Sequence, residues 1–440
     1  MEYRCAHAPL HSPQFHQNAH TVTQELIAQH GPIFPAELAP GVRAWVVADY
    51  ATITAWCRDA HTFVRDSRLW KDWRQGRVGD EAPIMAMMGH RPNLLYADGA
   101  EHDRLKRAIV DCLGRIPEAR WGESTRRHAD RLIDSFSAQG RADLVADYAR
   151  ILPLLVLADM FGFDQDIGER VLTSITDLWD GHDIISAGAE YERALSDAVS
   201  AAHAHPGQNV TSWLLEHRAD LSDEEMLHQL VVTLGAGAEP TANLITSSMH
   251  RLLTDTRTSQ AVGEARVSVE ELVDQVLWSE PPITNYPVLY PRYDIPLSGG
   301  RTIGAGEPVL LGYAAAHRQM RGATVDLEVH NRAHLAFGVG PHRCPAQGFA
   351  RSMAEVGIDR LWRRLPHLRA VSAQPIWRTS PFARALAQLP VTFTPEPPKG
   401  PSWDAPSSEQ ATSTNKAADS ATSTARSSKW KSLVAWLFGR

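Results

Sequence analysis

The chain has 440 residues, 43% hydrophobic and 22% charged, which is ordinary for a folded protein with a substantial core. Its formal net charge of −7 excludes the basic excess of a general nucleic-acid binder. Four widely spaced cysteines (Cys5, Cys57, Cys112 and Cys344) include no Cys-x-x-Cys pair, which excludes a disulfide framework and points to a reducing, cytoplasmic compartment.

The stretch MEYRCAHAPLHSPQFHQ has no apolar run, so neither a signal peptide nor a membrane anchor is expected there. His7, His11, His16 and His20 lie near Cys5, but Pro9 and Pro13 break any helix that would align them, and a metal site is not expected. Ala44-Trp-Val-Val-Ala reads as a strand. In Asp98-Gly-Ala-Glu-His102-Asp-Arg-Leu-Lys106-Arg107, one helical turn puts His102 and Lys106 on one face.

Ser222 and Glu225 form a capping box that starts a helix carrying Leu227, Leu230, Val231 and Leu234. It continues through Leu234-Gly-Ala236-Gly237-Ala-Glu239-Pro240-Thr241, where Pro240 has no N–H for the Ala236 carbonyl and should kink the helix. Ser268 and Glu271 repeat the capping device before Leu272, Val276 and Leu277. Glu307-Pro-Val-Leu-Leu-Gly reads as a second strand after the turn-rich segment from Ser298. Many helices with few strand pairs indicate a mainly α (α+β) fold over residues 1–395, taken as one domain.

The most informative stretch is Phe337-Gly338-Val-Gly340-Pro-His342-Arg-Cys344-Pro-Ala346-Gln. It reads as a glycine-rich bend running into a helix with Phe349, Met353, Val356 and Leu361. Glycine allows left-handed backbone and close approach of a large ligand. A cysteine at a helix N-terminus is favoured as thiolate, suited to act as nucleophile or soft metal ligand.

Beyond Thr394 the composition changes. Residues 396–428 are rich in Pro, Ser, Thr and Ala and read as a flexible linker. In residues 429–440, Trp430, Leu433, Val434 and Leu437 share one helical face. This tail is too short to span a bilayer; it suits a membrane interface, a docking partner, or packing against its own domain.

The pattern Phe-Gly-x-Gly-x-His-x-Cys resembles the haem-ligand loop of the cytochrome P-450 superfamily, and the order of motifs resembles that family over roughly residues 15–395. The resemblance implies a single triangular, helix-rich domain with small sheets and haem b (iron protoporphyrin IX) as cofactor. It makes Cys344 the axial ligand to the iron, with Phe337 and Gly338 packed near it. His342, His102 and Lys106 face the haem propionates, with Arg107 as a substitute for Lys106, which stands where Arg is usual. A further propionate-binding arginine is expected near Arg292, although Leu289 could equally fill that slot. Ala236 and Gly237 leave room for dioxygen. Glu239 matches the proton-relaying acid, while Pro240 occupies the place of the relay alcohol and Thr241 is displaced by one residue.

The Glu-x-x-Arg pair of the family reads Gln275 and Trp278, a neutral pair that can still pack. This resembles an actinobacterial branch found in conservon operons beside small GTPase-like proteins. The implied activity is a monooxygenase that takes electrons from a ferredoxin and its reductase and acts on an apolar small molecule. The rival reading is a haem-binding signalling or structural component of a GTPase-linked membrane complex, with little or peroxide-driven oxygenase activity, held peripherally at the membrane by the tail. Arg104, Arg107, Arg343, Arg351, Arg360 and Arg363 would form a basic face toward an acidic ferredoxin, or are ordinary solvated arginines.

Overall fold

The computed structural model describes residues 7–180, 183–321 and 331–400. The linker beyond residue 400, the amphipathic tail and Cys5 lie outside the described residues. No helix among the described residues is long and apolar enough to cross a membrane.

Hydrophobic periodicity and capping place the helices that matter for the site. These are α1 (Gly99–Leu113), α2 (Glu118–Phe136), α3 (Leu152–Phe161), α4 (Asp223–Thr254), α5 (Val269–Ser279), α6 (Tyr313–Arg321) and α7 (Gln347–Arg364). Both capping boxes form: the Ser222 hydroxyl accepts the Glu225 N–H while Glu225 accepts the Ser222 N–H, and Ser268 and Glu271 do the same for α5. Helix α4 continues through Pro240 to Thr254.

The strands that bear on the site are β1 (Ala8–Pro9), β2 (Ile33–Ala39), β3 (Val42–Val47), β4 (Phe63–Val64), β5 (Val288–Pro291), β6 (Val309–Leu311), β7 (Ile376–Trp377) and β8 (Leu386–Gln388). The first six form one sheet in the order β1-β2-β3-β6-β5-β4. Both strands expected from the sequence are in it, as β3 and β6, paired in parallel with Val46 opposite Leu310. Strand β4 closes the edge antiparallel to β5, with Val64 opposite Tyr290.

The main core packs α4 against α3 and α7, and α7 against α2 and α5. Helix α7 needs Gly357 there: a Cβ at that position would meet Leu152 at 2.9 Å. The chain past Thr394 is still tied down, since Lys399 and Gly400 give their N–H groups to Asp134 of α2 at 3.0 Å each.

Candidate active site

The bend before α7 is set by two glycines in the left-handed region, Gly338 (φ 72°) and Gly340 (φ 75°). The Gly338 N–H bonds Leu335 O at 2.7 Å, the Arg343 N–H bonds Gly340 O at 3.1 Å, and the Cys344 N–H bonds Phe337 O at 2.8 Å. The loop thus folds back on itself, with Cys344 half-buried within it. A side chain on Gly340 would sit 2.7 Å from the Cys57 carbonyl oxygen, which cannot yield. Gly340→Ala is therefore expected to destabilise the protein by about 1–3 kcal/mol, from strain and overpacking together. A thermal melt checks this; an unchanged midpoint would mean that the bend is not held as described.

Cys344 precedes Ala346, the N-cap of α7. The expected thiolate preference does not emerge from the helix end alone. Burial pushes the Cys344 thiol up, opposed by a hydrogen bond from the Ala346 N–H and by the nearby charges of Lys106 and Arg343. A buried sulfur loses more by desolvation than one helix end returns, so a stable thiolate here needs an electron-pair acceptor, and a coordinated thiol is deprotonated outright.

Helix α1 faces this bend. His102 is 1% exposed, its ring lies 3.9 Å from that of His342, and its Nε2 has no hydrogen-bond partner among the described residues. Burial, and then Lys106, push His102 down. His342 Nε2 lies 3.5 Å from Asp98 Oδ1; burial holds His342 well below the usual imidazole range, with Asp98 opposing. Both rings are therefore neutral near pH 7. Lys106 bonds the loop itself, giving its ammonium to the carbonyl oxygens of Pro341 and, at 2.9 Å, Arg343. It staples α1 to the cysteine loop instead of projecting free, and Arg107 is exposed.

The expectation for Arg292 fails. Its side chain is exposed beyond the end of β5, and its backbone N–H bonds Thr62 O at 2.8 Å. Leu289 is buried and apolar in the core beneath the sheet. The buried cation here is Arg65, directly after β4 and 4% exposed. Nothing in its sequence neighbourhood singles it out, because its position depends on β4 pairing with β5 from more than 200 residues away.

On α4, Ala236 is exposed and a Cβ on Gly235 would meet nothing within 4 Å, so this stretch of the helix is open. Gly237 packs closely, its would-be Cβ 3.2 Å from Leu157. Glu239 is half-buried and paired with Arg378, just past β7. Thr241 is buried and its hydroxyl bonds Gly237 O at 2.7 Å, one turn back, so it is committed to its own helix.

At the Gln275 and Trp278 positions, the Trp278 indole N–H bonds Asn331 O at 2.5 Å. His317 accepts the Leu335 N–H on Nε2 at 2.7 Å, so its proton sits on Nδ1, 3.2 Å from Trp278 O. Rings then run from Trp278 to His334 (6.0 Å) and on to Phe337 (5.9 Å). The acid that sequence reasoning missed is Asp274, one residue before Gln275. It holds Arg351 of α7 and, at 3.0 Å, Arg332, with His334 Nε2 at 3.8 Å. This network joins α5 to both ends of the cysteine loop.

No family model matches the chain. Cytochrome P450-SU2 of Streptomyces griseolus is 30% identical over 354 residues, 78% of this chain and 85% of that protein. The chain belongs to the cytochrome P450 family.

Another relative, 2-hydroxy-5-methyl-1-naphthoate 7-hydroxylase of Streptomyces carzinostaticus, is 28% identical over 374 residues, 78% of this chain and 87% of that one. The solved structure of CYP154A1 from Streptomyces coelicolor A3(2) superposes with a TM-score of 0.75 at 27% identity, covering 85% of this chain and 97% of that one. This P450 is thus a haem monooxygenase whose cofactor is haem b. The site's own chemistry fits that group: a sulfur on a glycine bend, a buried imidazole nitrogen without a partner among the described residues, and a buried guanidinium suit a flat iron-bearing macrocycle with two carboxylates.

Proposed function

We propose that Cys344 would hold the haem iron in a dioxygen-dependent monooxygenase that takes electrons from a ferredoxin and inserts one oxygen atom into an apolar organic substrate. The observation that supports this most directly is the glycine bend that carries Cys344 in the same loop as His342, against which His102 packs. Haem b, when bound, supplies dioxygen binding and transfer of one oxygen atom. The remaining work falls to the chain: Lys106 and the Phe337 carbonyl hold the loop, and the open stretch of α4 at Gly235 and Ala236 is the proposed space for dioxygen.

Glu239 is the proposed proton carrier, held by Arg378 until it turns inward. With Pro240 lacking a donor and Thr241 bonded to Gly237, water is the proposed link between Glu239 and the reacting oxygen. Glu239→Gln is expected to lower dioxygen-coupled turnover about 100-fold while sparing hydrogen peroxide-driven turnover, because peroxide arrives already reduced and protonated. Pro240→Thr is expected to raise the coupled rate. Equal loss in both assays would remove the relay role from Glu239.

The ferredoxin surface is narrower than six arginines. Arg104 is engaged by Glu101 and Glu225, Arg351 by Asp274, Arg360 by Asp130 and Arg363 by Asp359. Exposed Arg107 and Arg343 beside the cysteine loop are the proposed contacts. Docking to a membrane surface or a GTPase-type partner is proposed for residues 429–440 on their apolar periodicity alone. Turnover of a terpene and lipid panel with surrogate ferredoxin and reductase tests the whole reading; no substrate-dependent product under any redox supply would count decisively against it.

A further inference from the structure

Four arginines are buried among the described residues: Arg65, Arg351, Arg364 and Arg384. Three hold a carboxylate within the chain, namely Asp274, Asp134 and Glu280 respectively. Arg65 has no carboxylate within salt-bridge distance among the described residues, and its Nε and Nη1 have no hydrogen-bond partner. An unpaired buried guanidinium is costly enough that folds retain one only with a counter-charge. The anion must therefore come from outside the described chain.

Its surroundings say which anion. The Arg65 backbone N–H bonds Asp98 Oδ2 at 2.8 Å, and the other oxygen of the same carboxylate lies 3.5 Å from His342 Nε2. Asp98 thus sets Arg65 beside the cysteine loop. Tyr313, close enough for Arg65 to oppose the upward pull of burial on its phenol, has its hydroxyl 3.8 Å from where a Cβ on Gly338 would be. Arg65 also lines a small pocket with Tyr96, Tyr286 and Tyr290, and the Tyr290 hydroxyl has no partner among the described residues. Met87 O is fixed by the hydroxyls of Tyr96 (2.7 Å) and Tyr286 (3.0 Å), so this wall is braced.

We propose that Arg65 binds a haem propionate, the carboxylate-binding cation having moved from the β5 end at Arg292 to the residue after β4. The inference rests on the haem reading above. A guanidinium offers a planar fork that matches a carboxylate, and His102 Nε2 stands free nearby for a second oxygen donor or acceptor. The same carboxylate chemistry could instead come from an acidic substrate, and the test separates the two.

Apo-protein is titrated with iron protoporphyrin IX and with its dimethyl ester, followed by Soret absorbance. The native chain is expected to prefer the free acid by about 10- to 100-fold, the worth of hydrogen bonds to a charged group. Arg65→Leu should lose most of that preference while binding the ester as the native chain does, and Arg65→Lys should keep part of it. The native comparison needs no variant, so it stands even if Arg65→Leu folds poorly. A full preference retained in Arg65→Leu, or none in the native chain, overturns the inference. So does an unchanged preference with loss of only the fatty-acid-induced Soret shift, which would assign the carboxylate to substrate. A native chain that takes up neither porphyrin sinks the haem reading beneath it.

Discussion

Cys344→Ser is expected to abolish the thiolate-type Soret band of the reduced carbon-monoxide complex and to cut dioxygen-coupled turnover by more than about 100-fold, the upper end of what loss of a partner to a metal ligand does. The reasoning is local. A serine hydroxyl is far harder to deprotonate than a thiol, and burial already pushes the Cys344 thiol up. The fold should survive the exchange. The side chain takes one hydrogen bond, from the Ala346 N–H, which an oxygen can also accept, while the bond from Cys344 N–H to Phe337 O belongs to the backbone. The stability change is therefore about 1 kcal/mol or less. Loss of the band in a protein with an unchanged melting midpoint isolates the sulfur as the ligand. An unaltered band would place the ligand elsewhere.

Asp274→Asn carries the largest expected cost in stability. Arg351 is 8% exposed and would keep only Glu355, at 3.2 Å, as its acidic partner. Removing one member of a buried ionic set costs about 3–5 kcal/mol, because a charge is left without compensation. The consequence reaches the cysteine loop, since Arg332 precedes it and Arg351 follows it. Faster haem loss should accompany the lower melting midpoint. Writing the family's pair into this chain, as Gln275→Glu with Trp278→Arg, is also expected to destabilise it, because the indole bond to Asn331 O and the ring contacts to His317 and His334 disappear. A rescue of Asp274→Asn by that double change would show that Asp274 is not the brace.

The same carboxylate gives a pH signature. Burial pushes Asp274 up, but His334, Arg351 and Arg332 more than reverse this and hold it at about 2, below its ordinary 3.8. An acid depressed in the folded state contributes stability that is present above its unfolded value and is lost as pH falls through the folded one. The native chain should lose about 2 kcal/mol from this group between pH 3.8 and about 2, and Asp274→Asn should not. Acid melts of the two proteins measure the difference; parallel curves would remove the role.

The legible parts of this protein were those in which neighbours in sequence are neighbours in space. Both capping boxes, strands β3 and β6, and the glycine bend at Gly338 and Gly340 depend on residues within a few positions of one another. The His102 face of α1 was readable for the same reason, because one turn of helix aligns it. Lys106 lies on the same helix, but the carbonyls it holds lie 235 and 237 residues away. Helical periodicity has no reach over such separations.

Sequence alone therefore determined the family resemblance and marked Cys344 and Glu239 as candidates, because each is written in a short, contiguous pattern. Tertiary structure decided which charges are compensated. It left Arg292 in solvent, buried Arg65 without a carboxylate partner among the described residues, and joined Asp274 to Arg351 and Arg332. Whether a charge is tolerable depends on desolvation and on partners brought in by distant strands and helices, quantities that no local pattern records.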